Sequence, residues 1–344
     1  MYIAKVRLKF TYKGDIKMLK YLLKRMGLMV LTFVITVFIF FVFIKLMPDN
    51  YIAPIGGDDI WYRQMVIKEG WDKPIIVQFF YWIRNIIQDG SFGYSQTLRR
   101  DVGVYYFSKI PASIQINIIP YLLSIPLAII IGVAAALYKN KWVDNVISVG
   151  IMIFISVPYF VVVVLAQYFL FFQWRLVPDY KVATTTEFAT LGFWYGISTF
   201  VMPVIILTIT AIPGFARSVR AELTEQLTQD YMLLARSKGL TKRQATYRHA
   251  LKNALVPFLP GIFIGIIGVM NGGIITESLF RVDGTGRIYL NAFNSVPPDY
   301  PMLMLITTFL QFITLLSGIV GDLSYTLFDP RVRVGSGKLS WWII

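Results

Sequence analysis

The side chains that most often do chemistry are scarce in this sequence. Its 344 residues contain no Cys and a single His, His249. A disulfide framework, a thiolate metal site, a multi-His metal site and a His-based catalytic pair are therefore excluded. Two charged residues lie in or beside apolar runs, Lys45 and Asp322. An acid in such a run is by default a candidate proton relay. Asp322 stands about two turns before Arg331, so pairing with a basic group is the simpler expectation. Lys45 is expected to snorkel outward, and His249, in a basic helix, to serve surface or packing. The stretch GSGKLS, Gly335 to Ser340, superficially resembles a phosphate-binding loop. Val332 and Leu339 stand where that pattern needs Gly and Ser/Thr, and no strand precedes it. No cofactor is expected, and any ATP hydrolysis must come from another subunit.

Two patterns remain. The first is ARSKGLTKRQATYRHALKNAL, Ala235 to Leu255, in a region with eight Lys/Arg between Arg217 and Lys252. AELTEQLTQDYMLLARSKGL reads as helix, broken at Gly239. Thr241 is the expected N-cap of a second helix through KRQATYRHALKNAL. Two helices meeting at a Gly make a protruding elbow; a solvated basic loop that anchors topology is the plainer reading. The second pattern is Gly261, Gly265, Gly268 and Gly272, at i, i+4, i+7 and i+11, which puts four Gly on one face of a helix. Such a stripe is either small-residue packing or a gate lining.

The elements that must position these residues are membrane helices. Hydrophobic residues make up 56% of the chain and mean hydropathy is +0.61, against about 45–50% apolar in soluble domains. Six runs approach the roughly 20 residues that cross a bilayer: Gly27–Met47, Ser113–Leu137, Val146–Phe172, Phe200–Phe215, Leu255–Ile275 and Met302–Leu323. The fourth is short and interrupted by Pro203 and Pro213. The first is read as a retained span, since no small-residue cleavage site follows it. The chain thus divides into a basic N-terminal segment (1–26), a first span (27–47), an outer loop or cap (48–112), a membrane core (113–328) with the basic loop 216–254, and a tail (329–344). The outer loop carries Trp61, Trp71, Phe79, Phe80, Tyr81 and Trp82, and PIIVQFFYWIRNII can form one amphipathic helix. The loop reads as a small cap that receives a soluble protein or stiffens the mouth. With the N-terminus inside, 21 of the 33 Lys/Arg fall inside and 11 outside, as the positive-inside rule expects. The net charge of +14 is a topology signal and not a nucleic-acid footprint.

DYMLLARSKGLTKRQATYRHALKNALVP closely resembles the cytoplasmic loop of permease subunits of ABC importers, specifically the oligopeptide/dipeptide permease family. That loop carries Ala, three residues and Gly, here Ala235 and Gly239. Leu233 and Leu234 replace the usual Glu-Ala and the final Pro is displaced to Pro257, both usual for the peptide branch. Further likeness lies in MLKYLLKRMGLMVLTFVITVFIFFVFIKLMP, KPIIVQFFYWIRNIIQDGSFGYS, IPASIQINIIPYLLSIPLAIIIGVAAALYKNKWVD, ESLFRVDGTGRIYLNAFNSVPPDYPML and GDLSYTLFDPRVRVG. Within the family the chain resembles the longer-looped B-type subunit. Residues 1–17 are extra: a basic extension on anionic lipid, or sequence upstream of a start at Met18.

The resemblance implies an all-α, polytopic protein with six transmembrane helices of the type I importer kind, in the bacterial plasma (inner) membrane with both termini cytoplasmic. It implies a homologous second permease, two cytoplasmic ATPase subunits and an extracytoplasmic substrate-binding protein as partners, and no enzymatic activity in this chain. Around Ala235, Arg236 and Lys238 would meet acidic groups of an ATPase, Gly239 would supply a positive φ or a close approach, and Leu240 would be an apolar plug. Peptides are the implied substrate; family members also carry nickel complexes and oligosaccharides. A stand-alone secondary transporter or channel would show internal symmetry and mid-membrane charges, and an intramembrane enzyme a nucleophile with its base. The sequence has neither.

The charge asymmetry predicts that a reporter active only outside the cell, fused after Ile344, stays silent. An active fusion overturns the six-span topology.

Overall fold

The computed structural model describes residues 2–47, 63, 66–70, 72–95, 97–296 and 298–328, with side chains from Leu23 to Tyr325. Trp61, Trp71, Arg331, the GSGKLS stretch and the tail 329–344 lie outside the described residues. Long helices dominate because apolar side chains run for tens of residues, and in lipid only intrahelical bonds satisfy the backbone. Helix α1 runs Tyr2–Leu46, so residues 2–17 continue the helix of the first span, whose candidate membrane-crossing part is Leu23–Leu46. Helix α2, Ile75–Asp89, is the expected amphipathic helix of the outer segment. A short antiparallel hairpin follows, β1 Tyr94–Ser95 with β2 Arg100–Asp101, pairing Tyr94 with Asp101 and Ser95 with Arg100.

Helix α3, Val102–Leu137, begins well before Ser113, the expected start of the second span. The Asp101 carboxylate explains the early start: it accepts from Gly103 N–H (2.8 Å) and Val104 N–H (3.1 Å), an N-cap the hydropathy pattern did not reveal. The third expected span, Val146–Phe172, is not one helix. It comprises α4, Trp142–Ser156, and α5, Tyr159–Gln167, the latter continued by a wide π turn to Gln173, and the two arms are bent by 92°. The bend sits at Val157, held extended (ψ 123°) before Pro158, since a residue preceding Pro is disfavoured in the α region. The fourth run lies inside one long helix. After α6, Thr185–Leu191, helix α7 covers Phe193–Gln226 without interruption at Pro203 or Pro213.

Helices α3 and α7 run parallel and form the centre. Toward one end Ile116 packs with Met202 and Ile206; toward the other Val133 and Ala136 pack with Val219 and Leu223. A Cβ on Gly132 would come within 2.8 Å of both the Ala216 carbonyl oxygen and Val219 Cβ, so these backbones approach closely only because residue 132 is Gly. The last helix, α14 (Tyr300–Phe328), packs against α1 in antiparallel fashion, with Val37 near Met304 at one end. At the other end Arg25 pairs with Asp322 at 2.5 Å. Asp322 thus takes a basic partner as expected, but on the first helix. Lys45 lies 5.8 Å from the Phe41 ring centre.

The most complete charged contact joins α4 to α7. Asp144 is buried, and Arg220 Nε and Nη2 donate to its two oxygens at 2.6 and 2.8 Å. Asn140 N–H (2.9 Å) and Ser148 Oγ (3.2 Å) donate to the same carboxylate. Asp299 is buried just before α14, accepting from the Ser95 hydroxyl and Met302 N–H. Burial pushes its carboxyl up, and those two donors oppose the rise.

Removing Arg220 strands a buried carboxylate. Arg220→Ala is expected to cost about 2–3 kcal/mol, below the full-burial range because the arginine side chain is 32% exposed. The exposed Lys68–Asp89 pair at 3.1 Å is the control, and Lys68→Ala should cost about 0–1 kcal/mol. Thermal unfolding of the purified protein in detergent measures both; equal shifts would refute the assignment.

Candidate functional site

The basic loop folds as an elbow, though not where helix propensity alone puts its breaks. The expected helix over AELTEQLTQDYMLLARSKGL divides in two. Helix α7 ends at Gln226, and α8 covers Asp230–Ser237 after an extended Gln229 (ψ 150°). Packing overrides propensity here. The turn lets Met232 and Ala235 fold back into a cluster with Val133, Ala136, Val219 and Leu223.

Helix α8 then stops as a glycine-terminated helix stops. Gly239 N–H donates to the Arg236 carbonyl at 3.0 Å and Leu240 N–H to the Ala235 carbonyl at 3.3 Å. Gly239 holds φ +90°, and a Cβ there would meet nothing within 4 Å. Its requirement is therefore the left-handed backbone, not the close approach. Thr241 caps the next segment as expected. Its hydroxyl accepts from Gln244 N–H at 3.3 Å, and Gln244 Oε1 accepts from Thr241 N–H at 3.0 Å. That segment is α9 (Lys242–Ala245), a π turn over Thr246–Ala250 and α10 (Leu251–Leu255), with Ala245, Ala250 and Ala254 on the inner cluster. His249 is exposed in the π turn, consistent with a surface role.

The two faces of the elbow differ from expectation at one residue. Arg236, Lys238 and Gly239 are exposed and Ala235 is buried. Leu240 is not an outward plug; it packs half-buried against the same inner cluster. The apolar groups that face outward are Leu233 and Leu234, 66% and 56% exposed. The cause is helical phase: Ala235 and Met232 take the inner face, so Leu233 and Leu234 take the outer one. Beside them stand Arg236, Lys238, Lys242 and Arg243, all exposed. The outer face is thus apolar at its centre and cationic around it.

The glycine stripe is shorter than expected. Gly261, Gly265 and Gly268 lie on α11, Leu259–Gly268, but Gly272 lies beyond a 3-10 turn at φ +69° and leaves the helix. A Cβ on Gly265 would collide with the Tyr121 ring, whose hydroxyl donates to the Ile262 carbonyl at 2.9 Å. A Cβ on Gly261 or Gly268 would meet nothing within 4 Å. Gly265 is packing against α3; the other two line open surface.

Gly272 opens a second constellation, one the sequence reading missed. Glu277, on α12 (Ile274–Leu279), is fully buried. Its Oε2 accepts from Gly286 N–H (2.8 Å) and Arg287 N–H (3.1 Å), the second and third residues of α13 (Thr285–Asn294), and Oε1 accepts from Gly273 N–H (3.1 Å). Ser113 Oγ accepts from Thr285 N–H at 2.8 Å. The first three N–H groups of α13 are thus satisfied by side chains from α3 and α12, and the carboxylate gains from the helix dipole. Thr276 meets the Tyr159 hydroxyl at 2.6 Å, and Gln167 Nε2 donates to the Tyr180 and Leu279 carbonyls at 3.0 Å each. The segment after α11 is therefore bound to α3, α5 and the 174–184 loop. An acid within a Gly-flanked turn, GGIITESLFRVDGTG, was the signal available.

Residues 128–334 match the family described as "Binding-protein-dependent transport system inner membrane component", and residues 18–124 match the family of the N-terminal part of such membrane components. A dipeptide transport system permease protein of Lactococcus lactis subsp. cremoris is 31% identical over 322 residues, covering 92% of this chain and all of the relative. A probable peptide ABC transporter permease of Sinorhizobium fredii is 29% identical, covering 91% and 99%. A dipeptide transport system permease protein of Bacillus subtilis is 25% identical, covering 92% and 99%. Among solved structures, an amino acid ABC transporter with histidines aligns with a TM-score of 0.48 and 16% identity over 65% of this chain and 94% of that one.

Glu277→Gln keeps one acceptor and turns an amide donor on a backbone donor. It is expected to cost about 1.5–3 kcal/mol and lower the unfolding temperature of the purified protein. An unchanged melting curve would show that the clamp contributes nothing.

Proposed function

The chain belongs to the family of binding-protein-dependent transport system inner membrane components, and on that premise we propose that it forms half of a path by which short peptides cross the membrane into the cell. It is a multi-pass membrane permease subunit and carries no ATPase motif. The partners in this reading are a homologous second permease, two cytoplasmic ATPase subunits and an extracytoplasmic binding protein. Peptides are favoured because the relatives that match over nine-tenths of the chain are named as dipeptide or peptide permeases. The excess of Lys/Arg on the elbow side supports placing the elbow and both termini in the cytoplasm.

The observation that carries the coupling mechanism is the two-faced elbow. Its inner face is built into the cluster that also holds α3 and α7, through Met232, Ala235, Ala245 and Leu240. Its outer face offers Leu233 and Leu234 ringed by Arg236 and Lys238. An apolar centre with a cationic rim fits an apolar groove with an acidic border on an ATPase. A push on α8 would be delivered directly to α3 and α7, because Met232 and Ala235 pack on Val133, Ala136, Val219 and Leu223. Closure and opening of the ATPases would then tilt the spans, and access would alternate between the two sides. The open faces of Gly261 and Gly268 are assigned to the path or to the second permease.

The test is transport and ATP hydrolysis by the complete reconstituted importer, at matched amounts of assembled protein. Gly239→Asp strains a positive-φ backbone, and Leu234→Glu places a charge at the apolar centre. Each is expected to leave membrane insertion intact and to lower coupled transport about tenfold or more, the equivalent of about 1.4 kcal/mol or more of contact free energy. Lys238→Ala should do less, since an exposed pair contributes about 0–1 kcal/mol. If Gly239→Asp and Leu234→Glu both leave coupled transport unchanged, the segment is a solvated topology anchor. Substrate is tested separately by deletion of the gene. Loss of short-peptide uptake supports the peptide reading. Retained peptide uptake, with loss of nickel accumulation or of growth on an oligosaccharide, removes it and leaves the importer assignment standing.

A further inference from the structure

The outer helix α2 has three sectors, and one of them has no partner among the described residues. Phe79 and Trp82 are buried against α1, with Phe79 ring centres 5.0 Å from Phe38 and 5.3 Å from Phe41. On another sector, Gln78 Nε2 donates to the Lys73 carbonyl at 2.8 Å, Asn85 Nδ2 donates to the Lys68 carbonyl at 3.3 Å, and Asp89 pairs with Lys68. That polar sector is thus held by Lys68 and Lys73. On the other side of the α1-facing sector, Ile76, Phe80 and Ile87 are exposed at 59%, 64% and 76%. At about 100° per residue these three fall in one sector only about 40° wide, directly beside the α1-facing one.

The depth of α2 says what covers that sector. Helix α1 ends at Leu46, and its uncharged run ends at Ile44, just before Lys45. With a rise of about 1.5 Å per residue, Phe41 lies about 4–5 Å and Phe38 about 9 Å inside that end, against a half-thickness of about 15 Å for the hydrocarbon core. A helix whose buried face rests on Phe38 and Phe41 is sunk into the bilayer, not perched on it. The lipid-facing side of α1, with Ile39 and Phe43 exposed at 46% and 62%, is a second uncovered apolar surface in the same half of the bilayer. Arg84 is exposed, and its guanidinium stacks over Tyr81 at 4.5 Å. An aromatic with a basic group at the edge of an apolar sector is the composition of the headgroup boundary.

We propose that α2 is an interfacial helix lying in the leaflet at the Leu46 end of α1, with Ile76, Phe80 and Ile87 buried among acyl chains and Arg84 at the headgroups. Helix α2 is then a membrane-surface anchor. This rests only on α1 spanning the bilayer, not on the substrate or on the elbow.

The chain has no Cys, which permits single-site spin labelling. Ile76→Cys, Phe80→Cys, Ile87→Cys, and Gln88→Cys on the aqueous side are each labelled in the full chain, assembled with its partner subunits in lipid nanodiscs. Collision rates with oxygen, which concentrates in lipid, and with a water-soluble nickel chelate are compared. Labels at 76, 80 and 87 should be severalfold more accessible to oxygen than to nickel, and the label at 88 the reverse. Nickel access at all four positions would place α2 in water. Immobilised labels shielded from both reagents at 76, 80 and 87 would place a protein partner on that sector. Either result overturns the proposal, and a label that prevents assembly at one position leaves two others to decide.

Discussion

The close approach of α3 and α7 at Gly132 is the contact on which the rest depends. Two helices surrounded by lipid gain nothing from the hydrophobic effect by meeting, so they must gain from packing. The absence of a side chain at residue 132 lets Ala216 and Val219 settle on the α3 backbone. From that contact the interior extends both ways: toward Ile116 with Met202 and Ile206 at one end, and toward the elbow cluster at the other. The Asp144–Arg220 pair then fixes α4 to the same α7 surface, with the carboxylate fully engaged by Arg220, Asn140 and Ser148. Charge is affordable there because every oxygen is matched.

In the proposed coupling, the same centre is what would let an exposed loop act on the spans. The elbow is held rigid by local bonds, the glycine C-cap at Gly239 and the Thr241–Gln244 capping pair. It is held in place by small inner residues: Ala235, Ala245, Ala250 and Ala254 allow its helices to lie close on α3 and α7. A piece so seated on the ends of two long helices would transmit displacement in that proposal, since close-packed interiors are poorly compressible. At the other end the buried Glu277 does for α13 what a capping residue does for its own helix, but across the chain. Together with Ser113, which accepts from Thr285 N–H, it binds the segment after α11 into one body with α3.

Much was legible without coordinates. Composition and run length gave a polytopic helical membrane protein, since about 20 apolar residues have few other fates. The Ala235–Gly239 pattern, the positive φ at Gly239 and the cap at Thr241 followed from local chemistry that needs no distant partner. Asp322 was assigned a basic partner because a membrane acid needs one.

What tertiary structure decided were the choices that depend on distant residues. Hydropathy counts apolar residues and does not register direction, so Val146–Phe172 looked like one span although the backbone turns by 92° before Pro158. Propensity ran a single helix through Gln229, and only the pull of Met232 and Ala235 into the α3–α7 cluster breaks it there. That break sets the phase of α8, which turned Leu240 inward and presented Leu233 and Leu234. Asp322 chose Arg25, nearly three hundred positions away, and Glu277 found its donors only once α12 and α13 were folded together. The sequence alone determined which residues leave water and which turns are local. Which face each helix presents, and to whom, was decided by packing, because a helix's phase is fixed by its neighbours and not by its own residues.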